Sequence, residues 1–198
     1  MPEQQQLQII LASASPRRRQ LLAQAGYKFK VVPSDIDESA FPITGVSPPK
    51  ADEYAKRLAL AKAKDIAKKF PNCLVISADT VVDFNGEIIG KPKDAKEAEQ
   101  ITKKLFSAPH KVITGVAIVR LNDGTELSVS DITTVYPKKL TAEQIAKHIK
   151  GGSWQGKAGA YAIKEKGDEF VERIEGSLTN VMGLPMELLQ RLLKRLVR

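Results

Sequence analysis

Asp79 and Thr80 interrupt the most apolar stretch of the chain, Cys73 to Phe84 (CLVISADTVVDF). A carboxylate among Leu74, Val75, Ile76, Val81 and Val82 is costly to bury unless it is paired, bound to a metal or held at the edge of a cleft. Asp79 therefore reads either as a hydrogen-bonded structural group or as the acidic residue of an active site. A second constellation lies near the start of the chain, where Ser13 and Ser15 precede Pro16 and three consecutive arginines, Arg17, Arg18 and Arg19. Ser15 suits an N-cap and Pro16 the first helical position, which puts the arginines in a first turn where the helix dipole disfavours cations. Either they form a solvated face or an anion compensates them. The unpaired N–H groups of that turn, its positive dipole end and the guanidinium forks together suit a phosphate chain. Asp35, Asp37 and Glu38 then crowd three carboxylates into four residues, as a solvated loop or as ligands of a hard divalent cation beside such a phosphate chain.

The elements that must position these groups can be read from periodicity. Leu7 to Gly26 (LQIILASASPRRRQLLAQAG) is a buried strand running through a small-residue turn into a helix that begins at Ser15 and closes at Gly26. Tyr27 to Val32 alternates like a strand. From about Ser47 to Phe70 the pattern is helical, with Lys62 among small apolar positions where it can snorkel at the edge of a buried face. Asn85-Gly86 marks a type I′ hairpin joining the Asp79 strand to Glu87 to Gly90, after which Lys91 brings a second amine to the same end of the sheet. Asp94 with Glu97 forms a capping box for a helix ending near Phe106. His110 to Leu121 and Thr125 to Tyr136 are long strands joined by the hairpin Asn122-Asp123-Gly124, with His110 a structural residue at a strand start. Thr141 with Gln144 caps a further helix, the glycine-rich loop Gly156 to Tyr161 permits close backbone approach to a ligand, and Met186 to Leu196 is an amphipathic closing helix. Strands and helices that alternate in this way describe an α/β protein on a mixed β-sheet with flanking helices.

At 198 residues with 42% hydrophobic content, the chain supports one substantial core. The 31 basic against 23 acidic residues give a net charge of +8, which favours an anionic partner without choosing among nucleotides, nucleic acid and acidic protein. Aromatics make up only 6% and are not interleaved with the basic residues, so no stacking platform for nucleic acid is evident and no stable nucleic-acid partner is expected. No apolar run reaches membrane-spanning length and MPEQQQ lacks the features of a signal peptide, so the expectation is a cytoplasmic protein with no membrane partner. The single Cys73 reads as a buried thiol.

One family gathers these motifs. Ser13-x-Ser15-Pro16-Arg17-Arg18 followed by Asp35-Ile36-Asp37-Glu38 resembles the opening signature of the Maf family of nucleoside triphosphate pyrophosphatases. The likeness continues through Arg57-Leu58-Ala59-x-x-Lys62-Ala63, Ser107-x-x-His110-x-Val112-x-Thr114-Gly115-Val116, Phe170-Val171-x-x-Ile174-x-Gly176-Ser177 and Val181-x-Gly183-Leu184-Pro185. It implies the inosine triphosphate pyrophosphatase-like fold, one domain over residues 1–198 with two lobes around a deep cleft. It also implies hydrolysis of a nucleoside triphosphate, in the thymidine and uridine branch, to the monophosphate and pyrophosphate. By that resemblance Asp79 is the catalytic acidic residue, Glu38 joins it in holding Mg²⁺ or Mn²⁺, and Ser13, Ser15, Arg17, Arg18, Lys62 and Lys91 serve the triphosphate. Thr80 lies beside the base. Where that branch has Gln after Gly-Ala-Tyr-Gly-Ile, this chain has Lys164 after Gly159-Ala160-Tyr161-Ala162-Ile163, so Lys164 is the position expected to meet the base. The rival reading is a non-catalytic phosphate- or nucleic-acid-binding regulator of cell division, and either leaves room for a homodimer.

Overall fold

The computed structural model describes residues 8–43, 49–161, 163 and 170–196. Strand β1 (Ile9–Leu11) leads into helix α1 (Pro16–Gln24), and β2 (Phe29–Val31) follows. Ser15 is the N-cap and Pro16 opens the helix, as the residue types require, while Gly26 at φ +82 turns the chain away from its end. A 3₁₀ turn at Glu38–Ala40 precedes α2 (Ala51–Lys69). The helix starts after Lys50, which offers no side-chain cap, and Ser47, where the periodicity placed its start, lies outside the described residues. Strand β3 (Leu74–Phe84) turns through Asn85 (φ 54) and Gly86 (φ 87), the two left-handed residues of the expected hairpin, into β4 (Glu87–Ile89). Next come α3 (Ala95–Leu105), β5 (His110–Arg120), β6 (Thr125–Pro137), α4 (Ala142–Lys150), β7 (Val171–Glu175), α5 (Leu178–Val181) and α6 (Met186–Leu196).

The seven strands form one mixed sheet in the order β2-β1-β3-β5-β6-β7, with β4 on the edge of β3 that β1 also uses. β1 is parallel to β2 and β3, and every other pairing is antiparallel. Strand alternation sends Leu11, Leu74, Ile76 and Ala78 against α1 and α6, through Leu21, Leu22, Leu189 and Leu193. It sends Ile10 and Val75 against the Ala59, Ala63 and Ile66 stripe of α2. Helices on both faces of a mixed sheet are the α/β architecture expected from the alternating pattern.

Two local expectations change. Cys73 precedes β3 and is only partly buried, its thiol 3.8 Å from Gln8 Oε1. Asp94 caps the Glu97 N–H at 2.8 Å, but the Glu97 carboxylate accepts from Lys93 N rather than from the Asp94 backbone, so the box is half made. At Thr141 both halves of the box are present. The link between β5 and β6 is the expected hairpin, its loop a 3₁₀ turn, Leu121–Asp123, closed by Gly124 at φ 71.

Candidate active site

β3 changes partner along one edge, and the gap between the two partners is where the site forms. Its residues Leu74, Val75 and Ile76 pair with β1, and Val82, Asp83 and Phe84 pair with β4. Ser77 to Val81 have no strand beside them there, because β1 ends at Leu11 and the chain departs through Ala12–Ser15 into α1. A crevice at the carboxyl end of a parallel strand, opposite a helix N-terminus, is the usual place for a ligand in such sheets. A cleft of ≈ 650 Å³ opens there. Asp79 and Thr80 both line it, although their side chains belong to opposite faces of β3: Asp79 meets α2 and Thr80 meets α1.

On the α2 side, Lys62 Nζ lies 2.7 Å from Asp79 Oδ1 and 2.7 Å from Glu38 Oε1, and Lys91 Nζ lies 3.7 Å from Glu38 Oε2. Lys62 thus does not snorkel to water. Its ammonium bridges two carboxylates that come from β3 and from the 3₁₀ turn. Burial works to raise the Glu38 pKa, but the Lys62 hydrogen bond and charge, with Lys91 beside it, outweigh this and hold the carboxyl below its ordinary range. Asp79 is only 5% exposed, and its Oδ2 has no hydrogen-bond partner among the described residues. Of the three loop carboxylates only Glu38 lines the cleft. Asp37 is spent as a cap, its Oδ1 accepting from Ser39 N at 2.9 Å and Ser39 Oγ at 2.6 Å, and Asp35 is exposed.

On the α1 side Arg18 is committed to the protein. Its Nε donates to Gly183 O at 2.7 Å, Nη1 to Ala78 O at 2.7 Å and Ser13 Oγ at 3.2 Å, and Nη2 to Thr80 Oγ1 at 3.0 Å. Four of five N–H donors are used, so Arg18 fastens the turn after β1, the middle of β3 and the segment between α5 and α6. Desolvation lowers its pKa, while the charges of Asp79 and Glu38 oppose that shift. Ser13 Oγ also accepts from Ser15 N at 3.3 Å, and Ser15 Oγ accepts from Arg18 N at 3.5 Å. Thr80 Oγ1 also meets Thr114 Oγ1 at 2.9 Å. Arg17 differs: half-buried on the cleft wall, its guanidinium has no hydrogen-bond or ion-pair partner among the described residues. Burial lowers its pKa.

The other end of the cleft is apolar, walled by Val82, Val112, Tyr161, Ile163, Val181 and Met182. The glycine-rich loop Gly156 to Tyr161 does reach the cleft, as its composition implies, and Val112 and Val181 fall within the family motifs; residue patterning gave no sign of Val82 and Met182, which carry no reactive group and come from β3 and the loop after α5. Lys164 lies outside the described residues. One further determinant is Gly115, which pairs with Asp79 across the β3 and β5 register. A Cβ there would sit 2.3 Å from the Ala55 carbonyl carbon and oxygen, so only glycine lets α2 lie this close to the sheet and deliver Lys62 to Asp79.

Two oxygen donors from Glu38 and Asp79, held near each other by one ammonium, fit a hard cation such as Mg²⁺ or Mn²⁺ that completes its shell with phosphate oxygens and water. Among the described residues no cluster of three or more His, Cys, Asp or Glu forms a cage without such help.

A family model described as Maf-like protein matches residues 8–196. The chain is 46% identical over 189 residues to the dTTP/UTP pyrophosphatase of Methanosarcina barkeri, covering 95% of this chain and 93% of that one. It is 40% identical over 188 residues to the dTTP/UTP pyrophosphatase of Ruminiclostridium cellulolyticum, covering 95% of each. Among solved structures, the Staphylococcus aureus Ham1 protein superposes with a TM-score of 0.53 at 16% identity, over 94% of this chain and 98% of that one, a likeness of fold alone.

Proposed function

The chain belongs to the Maf family, and from that membership together with the cleft we propose that it hydrolyses nucleoside triphosphates to the monophosphate and pyrophosphate. The observation that carries this reading is the Asp79 carboxylate, with one oxygen on Lys62 and the other unpartnered, set in a gap of the sheet between cationic and apolar cleft walls. The triphosphate lies against Arg17, Lys62, Lys91 and the N-terminus of α1, and the nucleoside enters the apolar end. Ser13 and Ser15 shape that N-terminus, and Arg18 holds Thr80 beside the nucleoside rather than supplying its own charge to the phosphates. Asp79 Oδ2 orients a water and takes its proton as oxygen attacks the α-phosphorus; the bond to the bridging oxygen breaks and pyrophosphate leaves. Lys62 fixes the other carboxylate oxygen and neutralises charge as the pentavalent state develops. A divalent ion on Glu38 and Asp79 would polarise the phosphate and offset its repulsion by the two carboxylates.

We infer a preference for uridine and thymidine triphosphates over cytidine triphosphate, broader than in the glutamine-bearing branch, because the Lys164 ammonium donates to keto oxygens but accepts nothing. Pyrophosphate release from a panel of triphosphates is the test. Activity that disappears in excess EDTA and returns with Mg²⁺ or Mn²⁺, and that Asp79→Asn lowers by about 10²-fold or more with nucleotide affinity kept within about tenfold, supports the assignment. Full activity in EDTA or in Asp79→Asn would end it. A base profile unchanged in Lys164→Gln would remove the specificity claim alone.

A further inference from the structure

The chain has two histidines, and they fasten two consecutive residues, His148 the backbone of Ala160 and His110 the hydroxyl of Tyr161, the second of which lines the cleft. His148, on α4 and 7% exposed, donates from Nε2 to Ala160 O at 2.8 Å while Ser153 Oγ meets its Nδ1 at 3.2 Å. His110, at the start of β5 and 3% exposed, has Nδ1 3.1 Å from Leu105 O and 3.4 Å from Ala108 O. Two carbonyls can only accept, so Nδ1 carries the hydrogen and Nε2 accepts from the Tyr161 hydroxyl at 2.6 Å. The segment they hold is strained. Gly159 (φ 73) and Ala160 (φ 60) are both left-handed, and Ala160 pays for its Cβ in that region. Gly159 is tied by its N–H to Gly90 O at 3.0 Å, next to Lys91, and a Cβ on it would meet Leu105 Cδ1 and Val82 Cγ2 at 2.9 Å. Released from the histidines, this turn would relax toward ordinary backbone and carry Tyr161 with it.

We propose that His110 and His148 are positioning residues: they pin the left-handed turn at Gly159 and Ala160 so that Tyr161 presents its ring to the apolar end of the cleft. They thereby set affinity for the nucleoside part of the substrate without touching the phosphate end, where Arg17, Lys62 and Lys91 lie. The claim rests on the pyrophosphatase reading for its kinetics but not for its structural readout. Trp154 is the chain's single tryptophan, is buried, and packs in one cluster with Ala160, so its emission reports the position of the turn whether or not the protein turns over.

The test uses the full chain with His148→Ala, His148→Gln, His110→Phe and Ser153→Ala, the last an exposed change that frees the His148 ring without opening the core. In His148→Ala and His110→Phe the KM for uridine triphosphate should rise about fivefold to tenfold with kcat within about twofold, while the inhibition constant for pyrophosphate stays unchanged. Ser153→Ala should move KM the same way by about twofold to threefold. His148→Gln, whose amide can still donate to Ala160 O, should recover most of the loss, and Trp154 emission should shift to the red in His148→Ala but not in His148→Gln. Unaltered Trp154 emission and KM in both Ser153→Ala and His148→Ala would overturn the proposal, as would equal rises in KM and in the pyrophosphate constant. Absence of pyrophosphate release from wild type would strike the functional reading instead, leaving the emission shift to decide the role of the turn.

Discussion

Arg17 and Arg18 are adjacent in sequence, identical in type and divergent in use. Arg18 gives four donors to protein oxygens, two of them main-chain carbonyls 60 and 165 residues away, whereas Arg17 gives none to the described residues. Arg17→Ala should therefore raise the triphosphate KM about tenfold with a melting temperature within a degree or two of wild type. Arg18→Ala strands two buried carbonyls and should cost about 2–4 kcal/mol, read as a lower denaturation midpoint. Equal stability of the two variants would show that the Arg18 contacts contribute nothing. Nothing local separates these neighbours, since the acceptors that claim Arg18 are set by tertiary folding. Lys62, which its own residues mark as snorkelling and only the family resemblance ties to phosphate, was not legible as a site residue, whereas Asp79 and Glu38 were legible as candidates for chemistry, because charge in an apolar run or a crowded acidic loop announces its own cost. That Lys62 would bridge the two carboxylates was not legible either. His110 follows the same logic of burial: desolvation lowers its pKa, partly opposed by the Ala108 and Leu105 carbonyls, and the Tyr161 hydroxyl is the titratable group facing it. Both folded and unfolded chains hold the ring neutral above about pH 6.5; below it only the unfolded chain readily takes the proton, so stability falls as pH drops through that value toward the lower folded pKa. The denaturation midpoint of wild type should fall from pH 7.5 to 5.5 by more than that of His110→Phe, and parallel losses would exclude the contribution.

At the scale of elements, α1 and the β3–β4 hairpin followed directly from their punctuation, Ser-Pro at one and Asn-Gly at the other. The short α5 carries no such periodic signal in its four residues, and its place is fixed instead by Asn180 Nδ2 donating to Val112 O and Thr133 Oγ1 at 3.0 and 2.9 Å. The approach of α2 to the sheet is the element-level feature on which the site depends, and Gly115 controls it. In Gly115→Ala the new methyl would overlap the Ala55 carbonyl and lie 2.6 Å from Lys56 N, all backbone that cannot rotate away. The helix must move outward, costing about 1–3 kcal/mol and drawing Lys62 from Asp79. Gly90→Ala, with nothing within 4 Å of its added Cβ, is the control that should leave stability unchanged. A Gly115→Ala protein with wild-type melting and pyrophosphate release would show that the close packing is dispensable.

Over the whole molecule, composition and alternation were enough for an α/β sheet with flanking helices, but not for the strand order. The site arises because β1 and β4 share one edge of β3 and leave Asp79 between them, a consequence of long-range pairing that no local pattern encodes. Under the proposed binding mode the net charge of +8 would act at this scale too, since a polyanionic substrate would approach through the field of the entire surface before meeting Arg17, Lys62 and Lys91 on the cleft wall. Raising the ionic strength from about 10 mM to about 150 mM shortens the screening length from about 30 Å to about 8 Å, which removes the distant charges from the encounter but leaves contacts inside the cleft. With divalent metal held constant, kcat/KM for a triphosphate should fall several-fold over that range while kcat changes by less than about twofold. Arg17→Gln should flatten the dependence, because it removes a cleft cation that no neighbouring carboxylate compensates, whereas Lys62 and Lys91 are already paired with Glu38. A kcat/KM independent of salt, or a slope identical in Arg17→Gln, would mean that the charge excess plays no part in bringing substrate to the site.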